Sequence, residues 1–118
     1  MQTITIIVSS APYGTQGPFN ALRLAAALAA EPHSARVGIF LLSEGVFAAK
    51  RGQAPPEGQV NIEKMLADAI AAGASVRVCT TCCKERGITP EDLTEGTMIG
   101  TLKELAQWVA DSDKVISF

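Results

Sequence analysis

The hydrophobic positions of this chain fall into two kinds of run that alternate. Residues 3–8, TITIIV, are β-branched throughout, the pattern of an interior strand buried on both faces. Arg36–Leu42 repeats it, with Val37, Ile39, Phe40, Leu41 and Leu42 as a near-continuous apolar run. Shorter runs at Ser75–Cys79 and Lys114–Phe118 predict two further strands.

Between these runs the apolar spacing turns helical. A first helix over about 19–30 carries Leu22, Ala25, Ala26 and Ala29 along one face. Gly17-Pro18 opens it, because a proline at the first helical position loses no hydrogen bond, and Glu31-Pro32 stops it. A second helix, about 61–72, has Asn61 to cap its start and Gly73 to end it. A short helix over 80–86 ends at Gly87, Thr89-Pro90-Glu91-Asp92 reads as a cap and one helical turn, and a last helix covers about 100–110. GQAPPEGQ, residues 52–59, is expected to be a surface loop or lid.

Strands alternating with helices predict an α/β fold in three layers, with a mainly parallel sheet of four to five strands and helices on both faces. No linker, repeat or low-complexity segment interrupts the 118 residues, so a single domain over 1–118 is expected.

Charge and run length then exclude whole classes of partner. Ten Lys and Arg against 12 Asp and Glu give a net charge of −2, with no basic run to meet nucleic-acid phosphate or anionic lipid. No direct nucleic-acid binding is expected. The longest apolar stretch, Leu24–Ala30, is far shorter than the roughly 20 residues of a membrane-spanning helix. The first residues, MQTITIIVSS, lack the basic start of a secretory signal. The three cysteines are odd in number and clustered, unlike an extracellular disulfide framework. A reduced, cytoplasmic protein is the expectation.

In open parallel sheets the chemistry gathers beyond the carboxyl ends of the strands. Three segments are expected to meet there: SSAPYGTQG, SEGVFAAKRGQ and CTTCCKERG. Cys79 sits where a strand hands over to a helix, so the N–H groups of the next turn point toward its sulfur. The positive end of that helix favours a thiolate, and Lys84 or Arg86 adds to the effect. A thiolate is the nucleophilic form of cysteine and attacks soft electrophiles such as sulfur. The bland reading makes Cys79 a small buried hydrophobe.

Cys79 and Cys82 also form a C-x-x-C pair, which suits a thiol–disulfide redox function, although no Trp or Pro flanks it. Zinc is a weaker reading: Cys79, Cys82 and Cys83 supply three ligands, a closed site needs four, and His33 lies on a distant loop. No metal and no organic cofactor are expected. Tyr13 and Gln16 are candidates to line a pocket over Cys79, with Glu44 as an acid or base beside the thiol. Gly14 and Gly17 match no phosphate-binding pattern, and Ser9, Ser10 and Ser43 lack His and Asp partners for a hydrolase triad.

The order APYGTQ, then SEGV with a following Gln-rich loop, then C-x-x-C-x-x-x-R-G-I, then DKVISF resembles the DsrE/DsrF-like sulfur-relay family over nearly the whole chain. The resemblance implies that a cysteine eight residues before the glycine of Arg-Gly carries sulfur as a persulfide, and that count lands on Cys79. Cys82 matches a second cysteine found in some members, and Cys83 matches no family role. The implied function is a persulfide carrier that accepts sulfane sulfur on Cys79 from a donor protein and passes it to an acceptor protein. Cys82 is a candidate to unload Cys79 by closing a disulfide. The resemblance also implies a trimer or hexamer, here a homo-oligomer, and the Ala-rich first helix suits close packing between subunits. Two alternatives stand beside the carrier: a redox protein using Cys79 and Cys82, and a non-enzymatic subunit that binds a small ligand.

Overall fold

The computed structural model describes residues 1–118. Its elements in order are β1 (Thr3–Val8), α1 (Gly17–Ala29), β2 (Arg36–Leu41), a 3₁₀ segment (Ser43–Ala49), α2 (Ile62–Ala71), β3 (Ser75–Cys79), α3 (Thr80–Glu85), a 3₁₀ turn (Pro90–Asp92), β4 (Met98–Gly100), α4 (Leu102–Asp111) and β5 (Lys114–Ser117). The five strands form one sheet in the order β4-β3-β2-β1-β5, and every neighbouring pair is parallel. The expected α/β architecture is therefore the observed one.

The sheet's two faces differ because the chain crosses it in two directions. Progress from β1 to β2 to β3 runs one way, so right-handed crossovers put α1 and α2 on one face, where they pack on each other. That face is built from Ile4, Ile6, Val8, Val37, Ile39, Leu41, Val76 and Val78, each no more than 4% exposed. The return from β4 to β5 lays α4 over the other face. There Trp108 meets the Phe40 ring edge-on at 5.8 Å and the Arg77 guanidinium at 5.5 Å. Gly38 beneath it has no side chain because a Cβ would come within 2.8 Å of the indole.

Four details depart from the sequence pattern. β4 is only three residues long and borders β3, too short for a period to register. Its presence delays the last helix to Leu102, where Thr101 and Glu104 form a reciprocal capping box. Ala26, expected on the inner face of α1, is exposed, and Ala21 joins Leu22 and Ala25 in the core instead. The segment after β2 winds into the 3₁₀ helix, which Gly45 allows to close on the carboxyl end of β1: a Cβ there would collide with the Val8 carbonyl oxygen.

Candidate functional site

Cys79 is the last residue of β3 and the N-cap of α3, and its sulfur accepts the backbone N–H of Cys82 at 3.4 Å. This is the usual geometry of a helix cap with sulfur in place of oxygen. Thr80 fixes the junction from the other side by donating its hydroxyl to the Gly100 carbonyl of β4 at 2.9 Å. Cys79 is 7% exposed, and Cys83, 2% exposed, turns inward to the core. Cys82, one turn beyond Cys79, is half-buried. All three thiols are free.

The Cys82 sulfur has its own donor, the backbone N–H of Ser43 at 3.2 Å. Ser43 reaches it from a left-handed backbone, φ +51°, a conformation that costs a non-glycine residue about 1–2 kcal/mol. Arg86 braces the two segments. Its guanidinium donates to the Glu44 carboxylate at 3.2 and 3.3 Å and to the Cys82 carbonyl at 3.1 Å, so the residue after Ser43 is tied to the helix carrying Cys82. Glu44 is thereby held as the partner of Arg86.

The acidity of Cys79 runs opposite to the expectation from its helix position. Burial pushes its thiol up and so does the neighbouring Cys82 side chain; the Cys82 and Thr81 amides pull it down and are outweighed. A six-residue helix supplies little field, and the charge of a thiolate is poorly solvated at a site this enclosed. Lys84 is exposed and forms no ion pair, and Arg86 acts on Cys83, not Cys79. Cys83 is pushed up to about 11 by burial first and the two other thiols second, with Arg86 opposing.

The proposed pocket over Cys79 divides in two. Cys82 caps the Cys79 sulfur and is itself braced by the Arg86–Glu44 pair, whereas Tyr13 and Gln16 line a separate cleft of about 380 Å³ with Phe19, Val60 and Ile62, to which no cysteine contributes. The Tyr13 hydroxyl is engaged there, donating to Gln53 Oε1 at 2.7 Å and accepting the Ile62 N–H at 3.1 Å. The loop at the end of β1 is anchored to the start of α2, so it does not fold over the thiols.

Two contributors escape the sequence. Ser43 acts through its amide, not its hydroxyl, and an amide has no sequence signature. Gln53 organises the loop: its side-chain amide donates to the carbonyls of Phe47, Ala48 and Lys50 while its oxygen accepts from Tyr13 and the Glu63 N–H. The Gln-rich character of that loop was its only trace. His33 sits exposed in the turn after α1, and no group of three or more His, Cys, Asp or Glu side chains is placed to hold a metal ion. No helix is long and apolar enough to cross a membrane.

Known proteins share both the fold and the sequence. Protein YchN of Escherichia coli K12 is 46% identical over 118 residues, covering all of both chains. Its crystal structure superposes with a TM-score of 0.93 over the full length of each. The sulfurtransferase TusD of Cronobacter sakazakii is 29% identical over 128 residues, covering 97% of this chain and 98% of its own. A protein of unknown function from Methanobacterium thermoautotrophicum, MTH1491, shares the fold at a TM-score of 0.82 with 13% identity. The model of the DsrE/DsrF-like family matches residues 2–118. With its cysteine-bearing strand end inside a match that spans all but the first residue, the chain belongs to the DsrE/DsrF-like family.

Proposed function

We propose that this protein is a persulfide carrier that stores sulfane sulfur on Cys79. The observation that carries the reading is the seat of Cys79 at the carboxyl end of β3, its sulfur capped by the Cys82 amide and walled in by the sheet. Functional groups of parallel sheets collect at this end. A store of sulfane sulfur benefits from enclosure, because a persulfide exposed to free thiols is discharged by exchange. The relation to the sulfurtransferase TusD supports sulfur transfer as the chemistry.

The carrier works with a donor protein bearing a persulfide and an acceptor protein, in a reducing compartment that keeps three thiols free, which we take to be the cytoplasm. We further propose a homo-oligomer, a trimer or hexamer. Exposed Met98, Leu102, Val109 and Val115 supply apolar surface for such contacts, and light scattering on the purified protein reads the mass.

The test is localisation. The protein is exposed to a low-molecular-weight persulfide, its thiols are trapped by alkylation, and its peptides are weighed. Sulfane sulfur found on Cys79 is the expected result, and its absence from Cys79 overturns the reading. A second reading, thiol–disulfide exchange between Cys79 and Cys82, is favoured by the cap that holds the Cys82 backbone N–H 3.4 Å from the Cys79 sulfur. It predicts that the same treatment gives a Cys79–Cys82 disulfide and no retained sulfur.

A further inference from the structure

The three thiols are graded in access: Cys83 is 2% exposed, Cys79 is 7% exposed, and Cys82 alone is half-buried. Displacement at sulfur needs the attacking sulfur, the sulfur attacked and the leaving sulfur nearly in line. A donor that is itself a protein cannot present that line to a thiol as enclosed as Cys79. Cys82 is different. It lies toward solvent, its own backbone N–H reaches the Cys79 sulfur at 3.4 Å, and its sulfur receives the Ser43 N–H at 3.2 Å from a strained backbone that Arg86 and Glu44 hold in place. An amide donor aimed at sulfur stabilises negative charge there, whether on an attacking or a departing thiolate.

We infer that Cys82 is the port through which sulfur enters and Cys79 is the store, so that loading is a two-step relay between neighbouring cysteines. The inference rests on the carrier reading and adds a route to it. In the first step the Cys82 thiolate attacks the outer sulfur of the donor's persulfide. A bond forms between the two sulfurs, the donor's own S–S bond breaks, and the donor cysteine leaves as a thiolate.

In the second step the Cys79 sulfur attacks the outer sulfur now held on Cys82. The S–S bond on Cys82 breaks, a new one forms on Cys79, and the proton lost by the Cys79 thiol goes to the departing Cys82 sulfur. Each step moves one sulfur atom from one thiol to another, so its oxidation state is unchanged and no external oxidant or reductant is consumed. Ser43 is a positioning residue in this scheme, holding Cys82 and receiving its charge. The high proton affinity that burial gives Cys79 fits a store that is inert until its neighbour is loaded.

The experiment follows transfer from a persulfide-bearing donor protein, such as a desulfurase carrying sulfane sulfur on its own cysteine. Samples are quenched by alkylation at intervals and the sulfur is located on peptides, for the wild type, Cys82→Ser, Cys82→Ala and Cys79→Ser. The relay predicts loading of Cys79 slowed at least about tenfold in both Cys82 variants, as expected when an accessible thiolate is lost from an exchange. It predicts sulfur accumulating on Cys82 in Cys79→Ser. Folding is checked by the melting temperature, which a half-buried Cys→Ser change leaves close to that of the wild type. Loading of Cys79 at the wild-type rate in both Cys82 variants overturns the relay and leaves the carrier standing. Failure of the wild type itself to hold sulfur on Cys79 overturns the carrier, and the relay with it.

Discussion

The backbone N–H of Ser43 and the sulfur of Cys82 lie 3.2 Å apart, joining residues 39 positions distant in the chain. The contact exists because β2 and β3 are neighbours in the sheet, so the segments that follow them emerge side by side. Ser43 adopts φ +51° to make it. Glycine enters that region without steric cost, so Ser43→Gly should keep the hydrogen bond and raise stability by about 0.5–1 kcal/mol. Ser43→Val should lower it by about 1–2 kcal/mol, since a β-branched residue is a poor fit to φ above zero. Chemical denaturation of the two variants, read as the midpoint at constant slope, checks the pair.

Cys83 predicts an alkaline loss of stability. Its proton leaves the unfolded chain near 9.0 and the native chain near 11. Between those values the native state binds more protons, so stability falls as pH rises through the window, and the contribution is fully present below it. The shift corresponds to about 2–3 kcal/mol at roughly 1.4 kcal/mol per unit. Cys79 moves in the same direction. Unfolding free energies of the wild type and Cys83→Ala should therefore converge between about pH 9 and pH 11. A gap independent of pH would contradict the buried thiol's role.

Gly38 is matched to Trp108. A Cβ at Gly38 would lie 2.8 Å from the indole, which also stacks on Arg77 and meets Phe40. Gly38→Ala should displace α4 from the sheet at a cost of about 1–3 kcal/mol, the usual range for overpacking. Near-ultraviolet circular dichroism of the single tryptophan reports the displacement directly.

Gln53 holds the loop between the 3₁₀ segment and α2 through its side-chain amide, which serves three carbonyls, the Tyr13 hydroxyl and the Glu63 N–H. Gln53→Leu takes this partner from the part-buried Ala48 and Lys50 carbonyls and the Glu63 N–H, with an expected loss of about 1–3 kcal/mol. Hydrogen exchange should rise in residues 47–53 and at the start of α2, because their acceptors and donors lose the shared partner.

The order of strands and helices was legible because long apolar runs and capping residues leave strong local marks. Cys79 was legible as well, since a cysteine between a β-branched run and a helix start has one place to go. β4 was not, being three residues at a sheet edge whose strand character comes from pairing with β3. The acidity of Cys79 is not legible, because the helix end is visible in sequence and the burial that outweighs it is not. The rule that strand-end loops converge puts Tyr13 and Gln16 near the thiols. The engagement of Tyr13 by Gln53 and Ile62 depends on tertiary contacts that spacing does not encode.

The central claim, storage of sulfane sulfur by this chain, is tested most directly by intact-protein mass after incubation with a persulfide donor. The account predicts a gain of about 32 Da that a dithiol removes, as for any reversible persulfide cap. An unchanged mass, or a loss of about 2 Da from disulfide closure, would contradict it.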